Sequence, residues 1–126
     1  MPEAFDNEIT GHIVDSSLKI HKKLGPGLLE RVYEDCLCYE LSKRQIAFER
    51  QKYLPVAYEE LLIDNAFKLD LVAAGKVIIE IKSVESLLPI HEAQILTYMK
   101  LTDTPLGLLI NFNVPLIKNG IKRFKI

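Results

Sequence analysis

Apolar residues first recur at helical spacing. Ile9, Ile13, Ile20 and Leu24 fall on one side of a helical wheel and predict an amphipathic helix over roughly residues 7–23. The stretch "LGPGLLE" ends it, because Gly25 suits a helix C-terminus and Pro26 cannot continue one. A second helix is expected from near Gly27 to about Arg44. It is apolar around most of its girth: Leu28, Val32, Cys36 and Tyr39 form one stripe, and Tyr33, Leu37 and Leu41 form another. That leaves Arg31, Glu34 and their neighbours for water, while Glu30 projects within the second stripe.

From Phe48 the period shortens to two. "AFERQKYLPVAY", "ELLI", "AFKLDLVAA" and "VIIEIKSV" read as strands of a meander, with turns expected at Asp64-Asn65 and at "AGK". "LPIHEAQILTYMKL" restores helical spacing, and "LGLLINF" and "IKRFKI" read as two further strands. A strand, a helix and a strand in succession predict a right-handed crossover with "LLINF" parallel to "VIIEIK".

With 126 residues and 48% hydrophobic content, the chain has enough material for one core and one domain spanning residues 1–126. The formal charge of -1 gives no strong polyelectrolyte signal, so any nucleic-acid contact would have to come from a local basic patch. Residues 1–66 hold 8 Lys/Arg against 12 Asp/Glu, and residues 67–126 hold 8 against 5, so basic character gathers in the second half. "IKNGIKRFKI" is a candidate phosphate-contacting patch or, equally, a solvated edge strand. Cys36 and Cys38 sit two apart on a helix, where their side chains diverge and can neither bridge nor share a metal. No apolar run reaches transmembrane length and none near Met1 resembles a leader, so a reducing cytoplasmic setting is expected, without membrane contact.

Chemistry enters with "VIIEIKSV". Side chains alternate along a strand, so Glu80 and Lys82 share a face with Ile78, opposite Val77, Ile79 and Ile81. If the preceding strand turns at "AAGK", Asp70 comes back beside Glu80. Burying such charges costs several kcal/mol per ion unless they pair, open onto water or bind metal. Two readings therefore stand: a closed Asp70–Glu80–Lys82 ion cluster at the sheet edge, or a Mg²⁺ site, since Mg²⁺ favours carboxylate oxygens completed by water and phosphate. Glu30 would aim a third carboxylate at the same place if the second helix packs on this sheet. His91, Gln94 and Tyr98 form a polar stripe on the later helix, suited either to internal capping or to substrate. A zincin helix, a phosphate loop and a Ser or Cys nucleophile with a base partner are all missing.

The residues "GLLERVY" (Gly27, Glu30, Tyr33), "LDLV", "VIIEIKSV", "AQILTY" and "GLLINF" resemble the GxxExxY family of the PD-(D/E)XK nuclease superfamily, in the family's order from His21 to Lys125. The resemblance implies an α/β, restriction-endonuclease-like αβββαβ core, its mixed central sheet flanked by helices. It further implies that Asp70, Glu80 and the backbone carbonyl of Ile81 bind Mg²⁺, or Mn²⁺ in its place, and that Lys82 serves the attacking water. Glu30 matches the helical acid that some members add to the metal site. Gln94 and Tyr98 match the Q-x-x-x-Y box of the exonuclease and helicase-nuclease branch. One departure is visible: Leu69, not Pro, precedes Asp70. The implied function is Mg²⁺-dependent hydrolysis of DNA in repair or processing. The alternative is a non-catalytic nuclease fold that binds a partner protein or nucleic acid. The near-neutral charge leaves room for a targeting protein partner or a homo-oligomer.

Overall fold

The computed structural model describes the backbone of residues 2–126 and the side chains of residues 8–126. Helices α1 (Pro2–Leu24) and α2 (Glu30–Lys43) precede strands β1 (Phe48–Tyr58), β2 (Leu61–Ala73) and β3 (Val77–Lys82). Helix α3 (Pro89–Thr102), β4 (Leu106–Asn111), a single 3-10 turn (Ile117–Gly120) and β5 (Ile121–Lys125) complete the order. The sheet runs β1-β2-β3-β4-β5, with β3 parallel to β4 and every other pair antiparallel. This is the expected mixed sheet flanked by helices, extended by α1 and β5.

Each sheet face has its own core. Val77, Ile79 and Ile81 of β3 join Tyr33, Leu37 and Leu41 on the α1/α2 side, whereas Ile78 joins Leu69, Val72 and Leu109 under Ile95 and Met99 of α3. Strand alternation therefore places Glu80 and Lys82 on the α3 side. Helix α3 lies close because β4 offers Gly107 beneath it. A Cβ there would stand 2.6 Å from Met99 Sδ and 3.2 Å from Ile95 Cδ1.

Helix α2 begins three residues later than its apolar pattern predicts, at Glu30. Gly27 has φ +97, a left-handed conformation that no α-helix contains. The loop is held by Tyr33, whose hydroxyl donates to Gly25 O at 2.6 Å and accepts from Leu28 N–H at 3.1 Å. Its ring stacks on Phe112 with centroids 4.4 Å apart. The first apolar stripe also lies further out than predicted: Leu28 and Tyr39 are exposed, and the buried polar positions of α2 are Glu34 and Glu40.

The first hairpin differs as well. Tyr58 pairs with Leu61, so the turn is Glu59-Glu60, and β2 runs straight through the expected turn at Asp64-Asn65. Asn65 still adopts φ +51, but as a bulge in which residues 64–66 face Pro55 alone, a residue with no N–H to pair. The β1–β2 ribbon projects past the sheet, because β3 pairs with β2 only from Leu71 to Ala73. Tyr58, Leu61, Leu62 and Ile63 are exposed at its tip.

Candidate active site

The site forms where two strands part. Pairing of β2 with β3 ends at Leu71 opposite Ile79; continued, it would set Asp70 against Glu80. Instead Asp70 N–H donates to Glu80 Oε2 at 2.9 Å, and Ile81 N–H donates to Asp70 Oδ2 at 2.8 Å. Each carboxylate replaces a strand carbonyl as partner of a facing N–H, so the Asp70 and Ile81 donors stay satisfied where the strands part. The two acids are thereby fixed side by side, each keeping a second oxygen.

Burial and mutual repulsion dominate their electrostatics. Glu80 is 4% exposed, and burial, then the Asp70 charge, push its carboxyl up to about 8. The half-buried Asp70 is also raised, chiefly by burial and further by Glu34 and Glu30. Lys82, half-buried on the same face, favours both charges but forms no ion pair with either acid. The closed Asp70–Glu80–Lys82 cluster is therefore not what these side chains form. Two carboxyl groups side by side whose charged forms burial and repulsion disfavour are a donor set that a hard divalent cation would suit, since it favours both as carboxylates. A third oxygen faces the same gap. Phe112 N–H takes Lys82 O at 2.9 Å, so that carbonyl points to β4 and, by alternation, the Ile81 carbonyl points towards β2 beyond the last pair.

The other expected site residues lie around this pair. Glu30 opens α2 at the surface, and its Oε2 accepts from Ser83 N–H at 3.3 Å, just past Lys82. It stands beside the acid pair rather than in it, and among the described residues no three His, Cys, Asp or Glu side chains converge on one metal position. Tyr98 stacks on Phe67 with centroids 4.9 Å apart, and its hydroxyl is raised by burial and by Glu80 and Asp70. Gln94, exposed one turn earlier, shares with Tyr98 a groove of about 400 Å³ between α3 and the β1–β2 ribbon. His91 is drawn off to the start of α3, where Nδ1 accepts from Leu88 N–H at 3.0 Å.

Two features were not expected. Glu34, read as a water-facing residue, is 6% exposed: Oε2 accepts from Arg50 Nε at 2.6 Å and Oε1 from Gln51 Nε2 at 2.7 Å. Its signal was its place one turn after Glu30, on the same helix face. Buried Asn111 holds the chain leaving the site, accepting from Val84 N–H at 3.1 Å and donating to Val84 O at 3.0 Å. No single-strand pattern announces such a contact.

A family model described as the PD-(D/E)XK nuclease superfamily matches residues 7–124, which include every site residue named above. No curated protein and no solved structure matches the chain.

Proposed function

The chain belongs to the PD-(D/E)XK nuclease superfamily, and on that premise we propose that it is a Mg²⁺-dependent nuclease hydrolysing DNA phosphodiester bonds. The supporting observation is the crossed pair of hydrogen bonds, Asp70 N–H to Glu80 and Ile81 N–H to Asp70, which holds two carboxyl groups together. Asp70, Glu80 and the Ile81 carbonyl would hold the metal. When bound, a divalent cation neutralises phosphoryl charge and acidifies water.

The chain's own groups supply the rest. Lys82, on the Glu80 face, brings positive charge to the attacking oxygen and lowers the cost of the anion it becomes. Tyr98 and Gln94 line the groove along which a strand would enter, and the stacked Phe67–Tyr98 pair sets that wall. Glu30, hydrogen-bonded to the Ser83 amide, adds negative field at the end of β3.

The direct experiment incubates purified protein with single-stranded, duplex and branched DNA and with RNA, in Mg²⁺, in Mn²⁺ and in EDTA. DNA products in metal alone, lost in Asp70→Asn, are expected; absence of cleavage of every substrate in both metals would sink the proposal. A second reading, a nuclease fold that docks a partner protein, draws on the exposed apolar tip at Tyr58, Leu61, Leu62 and Ile63. It predicts a partner captured equally well by Asp70→Asn.

A further inference from the structure

Strand β2 turns over at Asp70. Leu69 packs under α3 whereas Leu71 packs on the α1/α2 side, although residues two apart in a regular strand share a face. The β1–β2 pairing carries the same defect: Arg50 pairs with Leu71 and Lys52 with Leu69, but Gln51 and Asp70 between them do not pair. Gln51 has φ +51, a conformation that costs a non-glycine residue on the order of 1 kcal/mol and so needs support from its surroundings. That support comes from α2. The Gln51 amide donates to Glu34, Arg50 donates to the other oxygen of Glu34, and the same guanidinium reaches Asp35.

We infer that Glu34 is a positioning residue of the acid pair: through Gln51 and Arg50 it holds β1 in the distortion that releases Asp70 from strand pairing and turns its carboxylate to the Ile81 amide. The bond Glu34 makes to Gln51 stands directly across from the unpaired Asp70. The inference rests on the metal-site reading only for its second measurement below.

The test compares wild type with Glu34→Gln, Gln51→Ala and the exchanged pair Glu34→Gln/Gln51→Glu. In the exchanged pair the amide at 34 donates to a carboxylate at 51 and still accepts from Arg50. In metal-free protein, amide hydrogen exchange by NMR reads Asp70 N–H and Ile81 N–H, whose acceptors are the two site carboxylates. Each single variant should speed exchange at these amides at least about tenfold, the scale of one lost charge-assisted hydrogen bond. Val77 to Ile79 should keep wild-type rates, and the exchanged pair should recover most of the protection. Affinity for Mn²⁺, read from the electron paramagnetic resonance of the free ion, should fall about tenfold in the single variants and recover likewise. Unchanged protection at Asp70 and Ile81, or a uniform rise across the sheet, would overturn the inference. If Glu34→Gln does not fold, Gln51→Ala reads the same amides from a half-buried position. A wild type without Mn²⁺ affinity would remove the nuclease reading and leave the exchange result to decide this one.

Discussion

Replacing Glu80 by Gln tests the electrostatic reading of the site without any substrate. The wild-type carboxyl titrates near 8 rather than at its ordinary 4.5, because burial and Asp70 disfavour its charge. Between those values the folded protein keeps a proton that the unfolded chain has lost, so metal-free stability falls as pH rises through this window and levels off above it. At about 1.4 kcal/mol per pH unit, the full difference is on the order of 3–5 kcal/mol. The Gln variant carries no such penalty. Its amide oxygen still accepts from Asp70 N–H, and its NH₂ group adds a pH-independent cost of about 1 kcal/mol. Urea denaturation in EDTA at pH 5 to 9 should therefore find the variant slightly less stable at the acid end and more stable than wild type at the alkaline end. Millimolar Mg²⁺ should reverse that order by stabilising wild type alone. A variant less stable than wild type at pH 9, or a difference flat with pH, would mean that Lys82 already balances Glu80, and the reasoning fails.

Asp70→Asn should lose the rise in melting temperature that Mg²⁺ or Mn²⁺ gives wild type, a stabilisation of about 2.7 kcal/mol at a hundredfold excess over Kd; differential scanning fluorimetry with and without metal reads it. Lys82→Ala should retain that metal-dependent shift while lowering cleavage at least ~100-fold in a gel assay, and wild-type rates would remove Lys82 from the mechanism. Gln94→Ala should weaken DNA binding by fluorescence anisotropy, with the Mg²⁺-induced shift in melting temperature unchanged; unaltered binding and turnover would return the stripe to structure alone. Asn111→Ala strands the N–H and C=O of Val84 and should cost about 2–3 kcal/mol in urea denaturation.

Much of this architecture was legible because it follows local periods. The two-residue alternation of "VIIEIK" separates Glu80 and Lys82 from Ile79 and Ile81, and the crossover from β3 through α3 to β4 follows from the order of elements. The start of α2 was hidden because a helical wheel contains no φ: Gly27 fits the apolar pattern yet sits in a conformation that excludes it from a helix. Asp64-Asn65 has the composition of a turn, and Asn65 does take the left-handed conformation, but long-range pairing absorbs it as a bulge. Glu34 was misplaced because its partners, Arg50 and Gln51, lie 16 and 17 residues away, and only tertiary structure shows that they can satisfy a buried charge.

The hydroxyl of Tyr33, fastened to both ends of the loop around Gly27, bears on what a motif search can detect. Gly27 is required by a backbone angle and Tyr33 by two hydrogen bonds and a stack on Phe112. Neither touches the acid pair, so selection on folding alone would preserve both in a lineage whose enzyme had died. Of the three letters in the motif, only Glu30 stands near the chemistry, and it stands at its margin. A search for that pattern therefore reads the loop and its clasp rather than the acid pair. Reading the proposed nuclease chemistry requires Asp70, Glu80 and Lys82, which lie 40, 50 and 52 residues beyond Glu30.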